Sequence, residues 1–170
     1  DLQYDVPFNK KAETAISKFL KENNLQNYIA LNFFGNSAVR KMFDENIIAY
    51  LQRLTDSFPD KQFILLSYPD VNEKLLKLAQ KFNNVFVYPT TEIFHTIELI
   101  KYCQQLISVD TSTIHIASGF NKPIIGFYPN DEENFAHWKP MTQSPTHILF
   151  FDKTVNEITP DKINLEWIEV

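Results

Sequence analysis

Leu106-Ile107-Ser108-Val109-Asp110-Thr111-Ser112-Thr113-Ile114-His115-Ile116-Ala117 changes character halfway along. An apolar run stops at Asp110-Thr111-Ser112, whose side-chain oxygens can start a helix, and His115 falls within the first turn or so. Gly119-Phe120-Asn121-Lys122-Pro123 ends that helix, and Ile124-Ile125-Gly126-Phe127-Tyr128 opens a second apolar run. Strand, short capped helix and strand in so few residues make a compact βαβ unit. Where the first strand of such a unit meets the helix N-terminus, amides and the positive end of the helix dipole form a ready anion site. A phosphorylated ligand would sit there.

The alternation continues outward on both sides. Residues 9–23 carry Ala12, Ala15, Ile16, Phe19 and Leu20 on one face with lysines elsewhere, which predicts an amphipathic helix. Tyr28-Ile29-Ala30-Leu31-Asn32-Phe33-Phe34 is an almost unbroken apolar strand ending at Gly35, the pattern of a strand buried on both faces. Beyond a loop at 36–41, Ile47, Ile48, Leu51, Leu54 and Phe58 keep helical spacing up to Pro59. Residues 62–68 read as the second strand, Val71, Leu75, Leu78, Ala79 and Phe82 as a helix, and residues 85–88 as the third strand. Ile93, Ile97, Ile100 and Cys103 mark the next helix. Downstream, a polar stretch at 130–144 precedes a closing strand at 147–151, and the tail from Thr154 reads as a turn and a short helix.

The 170 residues are thus read as one domain, with an arm or linker at 1–8, a core over about 9–152 and a tail at 153–170. About six strands alternating with helices predict an α/β fold: a doubly wound, mainly parallel, Rossmann-like sheet with right-handed crossovers. Ligands of such sheets gather beyond the C-terminal strand ends, near the point where strand order reverses. Here the loops at 35–41, 68–73, 89–91, 110–115 and 128–133 occupy that rim.

Composition removes several classes of function. The formal net charge is -5, and Lys10-Lys11 and Arg40-Lys41 are the only adjacent basic pairs, so no basic footprint for nucleic acid exists. Cys103 is the single cysteine, which excludes an internal disulfide framework and reads as a small buried hydrophobe. No apolar run is long enough for a transmembrane segment, and no signal-peptide pattern opens the chain. The first residue is Asp1 rather than Met, so a processed chain or a piece of a longer one is expected. Three glycines cannot supply a glycine-rich dinucleotide fingerprint, and phosphate-loop and nucleophile-elbow signatures are missing. His95, His115, His137 and His147 are not spaced as a metal set.

The polar candidates collect on the rim. Thr111 and Ser112 can cap the short helix, or leave its amides to a phosphate. Asp110 at the strand end could cap the helix, orient the loop or accept a hydrogen bond from a ligand hydroxyl. His115, near a helix N-terminus, is expected to stay neutral. Arg40 and Lys41 follow the first strand on the same rim, where a guanidinium or ammonium can pair with a diphosphate. His137-Trp138-Lys139-Pro140 reads as a loop able to close over a ligand, with Trp138 equally able to serve as a packing anchor.

Asp110-Thr111-Ser112-Thr113-Ile114-His115-Ile116-Ala117, then Lys122-Pro123 before Ile124-Ile125-Gly126-Phe127-Tyr128-Pro129-Asn130-Asp131, then Trp138-Lys139-Pro140, resembles glycosyltransferase family 9, the lipopolysaccharide heptosyltransferases. The C-terminal domain of that family carries Asp-Ser/Thr-x-x-x-His-x-Ala, Lys-Pro before an apolar strand, and a Trp-x-Pro loop. A weaker likeness covers Gly35-Asn36-Ser37-Ala38-Val39-Arg40-Lys41-Met42-Phe43, where the basic position matches but Met42-Phe43 stands in place of Trp-Pro. Ser112 also stands where many members have glycine.

The resemblance implies the C-terminal half of a GT-B fold, holding a nucleotide-sugar donor, commonly ADP-heptose, with no separate cofactor and no metal. By the same resemblance Asp110 contacts donor-sugar hydroxyls, and Thr111 and Ser112 the phosphates, beside Gly35 and Asn36. His115 orders that loop or touches the diphosphate, Arg40 and Lys41 neutralise it, and Glu73, with Tyr68, contacts the nucleoside. It further implies an acceptor domain with the catalytic base upstream of Asp1, serving a lipopolysaccharide-core acceptor. The enzyme is then an inverting, metal-independent transferase of the cytoplasm, or peripheral at the inner face of the bacterial inner membrane. These 170 residues alone are expected to bind donor and transfer little. The alternative is a non-catalytic nucleotide or nucleotide-sugar binding module on the same fold. A receiver-like domain is remote, because Asn32-Phe33-Phe34-Gly35 offers no acidic cluster after the first strand.

Overall fold

A computed structural model describes residues 9–170; the arm expected at 1–8 lies outside the described residues. The chain runs α1 (Lys10–Glu22), β1 (Ile29–Asn32), α2 (Asp44–Ser57), β2 (Phe63–Leu65), α3 (Asn72–Ala79), β3 (Val85–Val87) and α4 (Ile93–Lys101). It continues through β4 (Gln105–Val109), α5 (Ser112–Gly119), β5 (Ile124–Pro129), α6 (Glu132–Trp138) and β6 (Thr146–Phe151). Five single turns of 3-10 helix lie between and after these elements, at Ala38–Arg40, Pro69–Val71, Val155–Glu157, Pro160–Lys162 and Leu165–Trp167.

The six strands form one sheet in the order β3-β2-β1-β4-β5-β6, and every neighbouring pair is parallel. The doubly wound, Rossmann-like architecture read from the sequence is the one observed. Winding proceeds outward from β1 to β3, then returns to lay β4 on the other side of β1. The switch point is therefore β1/β4, with Ile29 beside Gln105 and Asn32 beside Ser108. Connections leaving these two strands diverge to opposite faces, which opens a crevice over their C-terminal ends.

Each face carries its own core, because successive strand side chains alternate. Ile29 and Leu31 of β1 join Ile47, Leu51 and Leu54 of α2 and Leu75 of α3 on one face. Ala30 joins Ile16 of α1, Ile97 and Ile100 of α4 and Ile114 of α5 on the other. Helix α1 starts where Asn9 Oδ1 accepts from the Ala12 amide at 3.0 Å, and it buries Ala12 and Ile16. Cys103 lies in the second core, where burial pushes its thiol up to about 12. It behaves as the inert hydrophobe expected of it.

Two segments differ from the sequence reading. The polar stretch at 130–144 contains helix α6, so His137 and Trp138 belong to a helix rather than a loop. Asp131 Oδ1 caps it by accepting from the Asn134 amide at 3.1 Å, with Glu132 and Glu133 in the first turn. No residue of α6 is buried, so no apolar period marks it. The tail, in turn, is part of the core. Val155, Ile158, Ile163 and Ile168 bury against α2 and the sheet from three successive 3-10 turns, whose spacing matches neither helix nor strand. Arg53 of α2 donates to the carbonyls of Pro160 and Ile163, and the Tyr50 hydroxyl donates to that of Ile158. Gln105, at the start of β4, donates to the Trp167 carbonyl at 2.8 Å and accepts from the Glu169 amide at 2.9 Å.

Candidate functional site

The floor of the crevice is a buried polar triad at the switch point. Asn32, the last residue of β1, donates from Nδ2 to Ser108 Oγ and Thr113 Oγ1, each at 3.2 Å, and those two hydroxyls lie 2.7 Å apart. The triad ties β1, β4 and the first turn of α5 together. A single polar residue interrupting the apolar run from Tyr28 to Phe34 is the signal that marks Asn32 in the sequence.

From β1 the chain makes a tight excursion and returns. Met42 N–H donates to the Phe33 carbonyl at 3.0 Å and Gly35 N–H to the Arg40 carbonyl at 2.8 Å. A Cβ on Gly35 would sit 2.5 Å from Arg40 Cβ, so the close approach requires glycine. This fold-back aims Arg40 across the crevice. Its Nη1 donates to Ser37 Oγ at 3.0 Å, and its Nη2 donates to Asp110 Oδ2 at 3.3 Å.

Asp110 stands one residue beyond β4, held by its own N–H to the Phe127 carbonyl at 2.8 Å. Its side chain is 8% exposed and that of Arg40 is 22% exposed. A carboxylate this buried needs its partners; removing the guanidinium would strand a charge in a poorly solvated site. Asn134 of α6 supplies a second donor, Nδ2 to Asp110 Oδ2, at 3.1 Å. No sequence spacing links Asn134 to Asp110.

Thr111 occupies the N-cap position of α5 in an extended conformation, but its side chain makes no capping bond. Of the two readings of Thr111 and Ser112, a side-chain cap or amides left open, the structure has no cap bond from the N-cap side chain. The amides that open α5 are left to another acceptor. His115, in the first turn, meets the Trp138 ring edge-on with centroids 5.5 Å apart. Trp138 is seated in turn by Tyr128, whose hydroxyl donates to its carbonyl at 2.7 Å. Tyr128 lies over Gly126 of β5, where a Cβ would come within 2.9 Å of the ring.

Two clefts flank the N-terminus of α5. One, of about 390 Å³, is lined by Asn36, Arg40, Asp110, Thr111, Ser112, His115, Asn134 and Trp138. The other, of about 330 Å³, shares Asn36, Thr111 and Ser112 and adds Gly35, Lys41, Phe34, Leu66, Tyr68 and Ile93, among others. The first holds the Arg40–Asp110 pair with Asn134, His115 and Trp138. The second is lined by Asn32, Ser67, Thr96 and Thr113 as well as by Phe34, Leu66, Tyr68 and Ile93, which give it an apolar wall the first lacks. Lys41 is exposed and forms no ion pair among the described residues. The crevice therefore gathers Asp110, Thr111, Ser112, His115, Arg40, Lys41, Gly35, Asn36 and Tyr68. It leaves Glu73 out. Glu73 lies two residues before buried Leu75 on α3, about 200° around the helix, and its exposed carboxylate faces Lys77 Nζ at 3.6 Å. Among the described residues, no group of three or more His, Cys, Asp or Glu assembles into a metal-holding cluster.

The profile of Glycosyltransferase family 9 (heptosyltransferase) matches residues 2–162. The chain belongs to glycosyltransferase family 9. An Escherichia coli K12 protein provisionally named lipopolysaccharide heptosyltransferase 4 is 26% identical over 164 residues, which cover 94% of this chain and 44% of that protein. Among solved structures, a family 9 glycosyltransferase from Veillonella parvula aligns with a TM-score of 0.73 at 11% identity, over 94% of this chain and 51% of that one. The E. coli heptosyltransferase WaaC, solved with ADP-2-deoxy-2-fluoro heptose, aligns with a TM-score of 0.66 at 17% identity, over 94% and 49%. At such identities the likeness is one of fold. This family 9 chain spans about half the length of the proteins it matches. None of its described helices is long and apolar enough to cross a membrane.

Proposed function

We propose that this chain is the donor-binding domain of an inverting, metal-independent glycosyltransferase. The sugar transferred is a heptose, carried by ADP, and the acceptor is the lipopolysaccharide or lipooligosaccharide core. The observation that carries this reading is the uncapped N-terminus of α5 standing between two clefts, one built on Asp110 and Asn134 and the other on Phe34, Leu66, Tyr68 and Ile93 among polar side chains. A nucleoside diphosphate sugar has the same three-part chemistry: an aromatic base and ribose, a diphosphate, and a polyol.

The diphosphate bridges the clefts at Thr111 and Ser112, accepting from the amides of α5 and meeting the dipole's positive end. Lys41 contributes the cation, because Arg40 is engaged by Asp110 and Ser37. The nucleoside enters the second cleft beside Phe34, Tyr68 and Ile93. The sugar lies in the first, where Asp110 accepts from a hydroxyl and His115 borders the diphosphate.

Transfer breaks the bond between the anomeric carbon and the diphosphate oxygen as an acceptor oxygen attacks from the opposite face. Charge develops on the departing diphosphate, and preorganised amides and Lys41 stabilise it there. In this reading the acceptor and the base that deprotonates it belong to a preceding domain, and the working enzyme is cytoplasmic or peripheral at the inner face of the bacterial inner membrane. The relative solved with an ADP-heptose analogue supports ADP-heptose as the donor here. Calorimetry with ADP, UDP and GDP tests the reading, with ADP expected to bind tightest. Tight binding of UDP and none of ADP would reject it.

A further inference from the structure

We propose that Asn134 is a positioning residue for the donor sugar, acting through Asp110. The inference rests on the donor-site reading above and adds a residue from α6. Asp110 Oδ2 receives Arg40 Nη2 at 3.3 Å and Asn134 Nδ2 at 3.1 Å. The two donors come from different elements, the loop after β1 and the helix after β5. Oδ1 takes no hydrogen bond among the described residues, and it is not occluded. It is the oxygen left to face the cleft.

The terminal torsion of an aspartate is broad and two-fold, so a carboxylate held by one ion pair can exchange its two oxygens. A second donor on the same oxygen, from another direction, removes that freedom. Oδ1 then keeps its lone pairs aimed at a ligand hydroxyl before the ligand arrives, which lowers the cost of binding. An amide does this without adding charge, so Arg40 remains the balancing cation. Asn134 is itself fixed, since its backbone N–H donates to Asp131 Oδ1 at 3.1 Å. The α6 helix is braced by Tyr128 through the Trp138 carbonyl and through Phe135, whose ring lies 5.2 Å from that of Tyr128.

The role is specific to one part of the ligand. Asn134 borders the first cleft and not the second, so the contacts assigned to nucleoside and diphosphate do not involve it. Calorimetry on this chain with ADP and with ADP-heptose separates the parts. Asn134→Ala is expected to bind ADP within about twofold of the unmodified chain and ADP-heptose roughly tenfold more weakly, the scale of one charge-assisted hydrogen bond. Asn134→Gln, which keeps the amide on a longer arm, recovers most of that loss. The double variant Asn134→Ala, Asp110→Ala binds ADP-heptose no more weakly than Asp110→Ala alone.

Unchanged ADP-heptose affinity in Asn134→Ala overturns the proposal, as does a parallel loss of ADP affinity, which a merely structural role for α6 would produce. Additive losses in the double variant overturn it too. If the unmodified chain binds ADP-heptose no tighter than ADP, this inference fails while the nucleotide site stands. If it binds neither, the donor reading itself falls and this inference with it.

Discussion

Helices α5 and α6 each follow a parallel strand to the same rim, and they are held there in opposite ways. The eight residues of α5 bury Thr113, Ile114, Ile116, Ala117 and Ser118, and no side chain caps its start. The seven residues of α6 bury none, yet Asp131 caps it. A helix gripped from behind by core and by the Asn32 triad can leave its first amides open. A helix without such a grip must satisfy its own end and is seated by a few side chains. The difference divides the labour: α5 presents backbone to a ligand, and α6 presents side chains, Asn134 and Trp138, to the same cleft.

Four substitutions would break or sharpen this contrast. The largest effect is expected at Ile114, fully buried beneath α5. Ile114→Ala should cost about 3 kcal/mol, read as a lower urea midpoint, with ADP affinity falling as the helix loosens. A loss under 1 kcal/mol would mean that α5 is not gripped by the core. Next is Gly35→Ala, which drives a methyl into Arg40 and turns the guanidinium from Asp110. Nucleotide-sugar affinity should fall roughly tenfold, the scale of one charged hydrogen bond; wild-type affinity would show that the loop accommodates a Cβ.

Removing the cap of α6 tests the other half. Asp131→Ala should cost about 1 kcal/mol, confined to that helix. Amide exchange should quicken at residues 134–138 while the global midpoint barely moves, and an equal fall in both would contradict the division. The smallest effect concerns the scaffold behind α5. Glu98 of α4 is 2% exposed, its Oε1 has no hydrogen-bond partner among the described residues, and burial raises its carboxyl above the usual value. A raised folded-state value means that the folded chain holds the proton more tightly than the unfolded one. Stability is then fully present below the unfolded value and declines as pH rises through the folded one. Glu98→Gln should therefore flatten the fall in stability that begins as pH rises past the ordinary carboxylate value and match the parent well below it. A parallel pH profile in the two proteins would rule this out.

The same contrast explains what the sequence made legible. All six strands could be read. The central ones, buried on both faces of a parallel sheet, leave nearly continuous apolar runs such as Ile29 to Leu31 and Leu106 to Val109, the latter broken only by Ser108. The largely unburied edge strand β6 is still marked by Ile148 to Phe151. The Asp110 to His115 loop was legible because its chemistry is contiguous. Helix α6 was not, since nothing in it is buried and only Asp131-Glu132-Glu133 hints at a start. The tail escaped because irregular turns bury Val155, Ile158, Ile163 and Ile168 at no fixed period. Asn134 was invisible for a different reason: its partner is 24 residues away and pairs with it only once β5 and α6 are in place. Glu73 entered on resemblance, and the phase of α3 turns it to solvent.

Gly126 has a consequence that reaches the rim from inside the sheet. It is a position in mid-strand that lines neither cleft, yet the phenol of Tyr128 rests where its side chain would otherwise be. That phenol tethers the last carbonyl of α6 at 2.7 Å. A single methyl at Gly126 would lift the ring, slip the tether and let the outer wall of the sugar cleft swing. Faster amide exchange at Lys139 in Gly126→Ala would register the change, and unaltered exchange there would refute it. The width of that cleft is thus governed by a hydrogen atom on β5, a place where a survey of ligand contacts would not look.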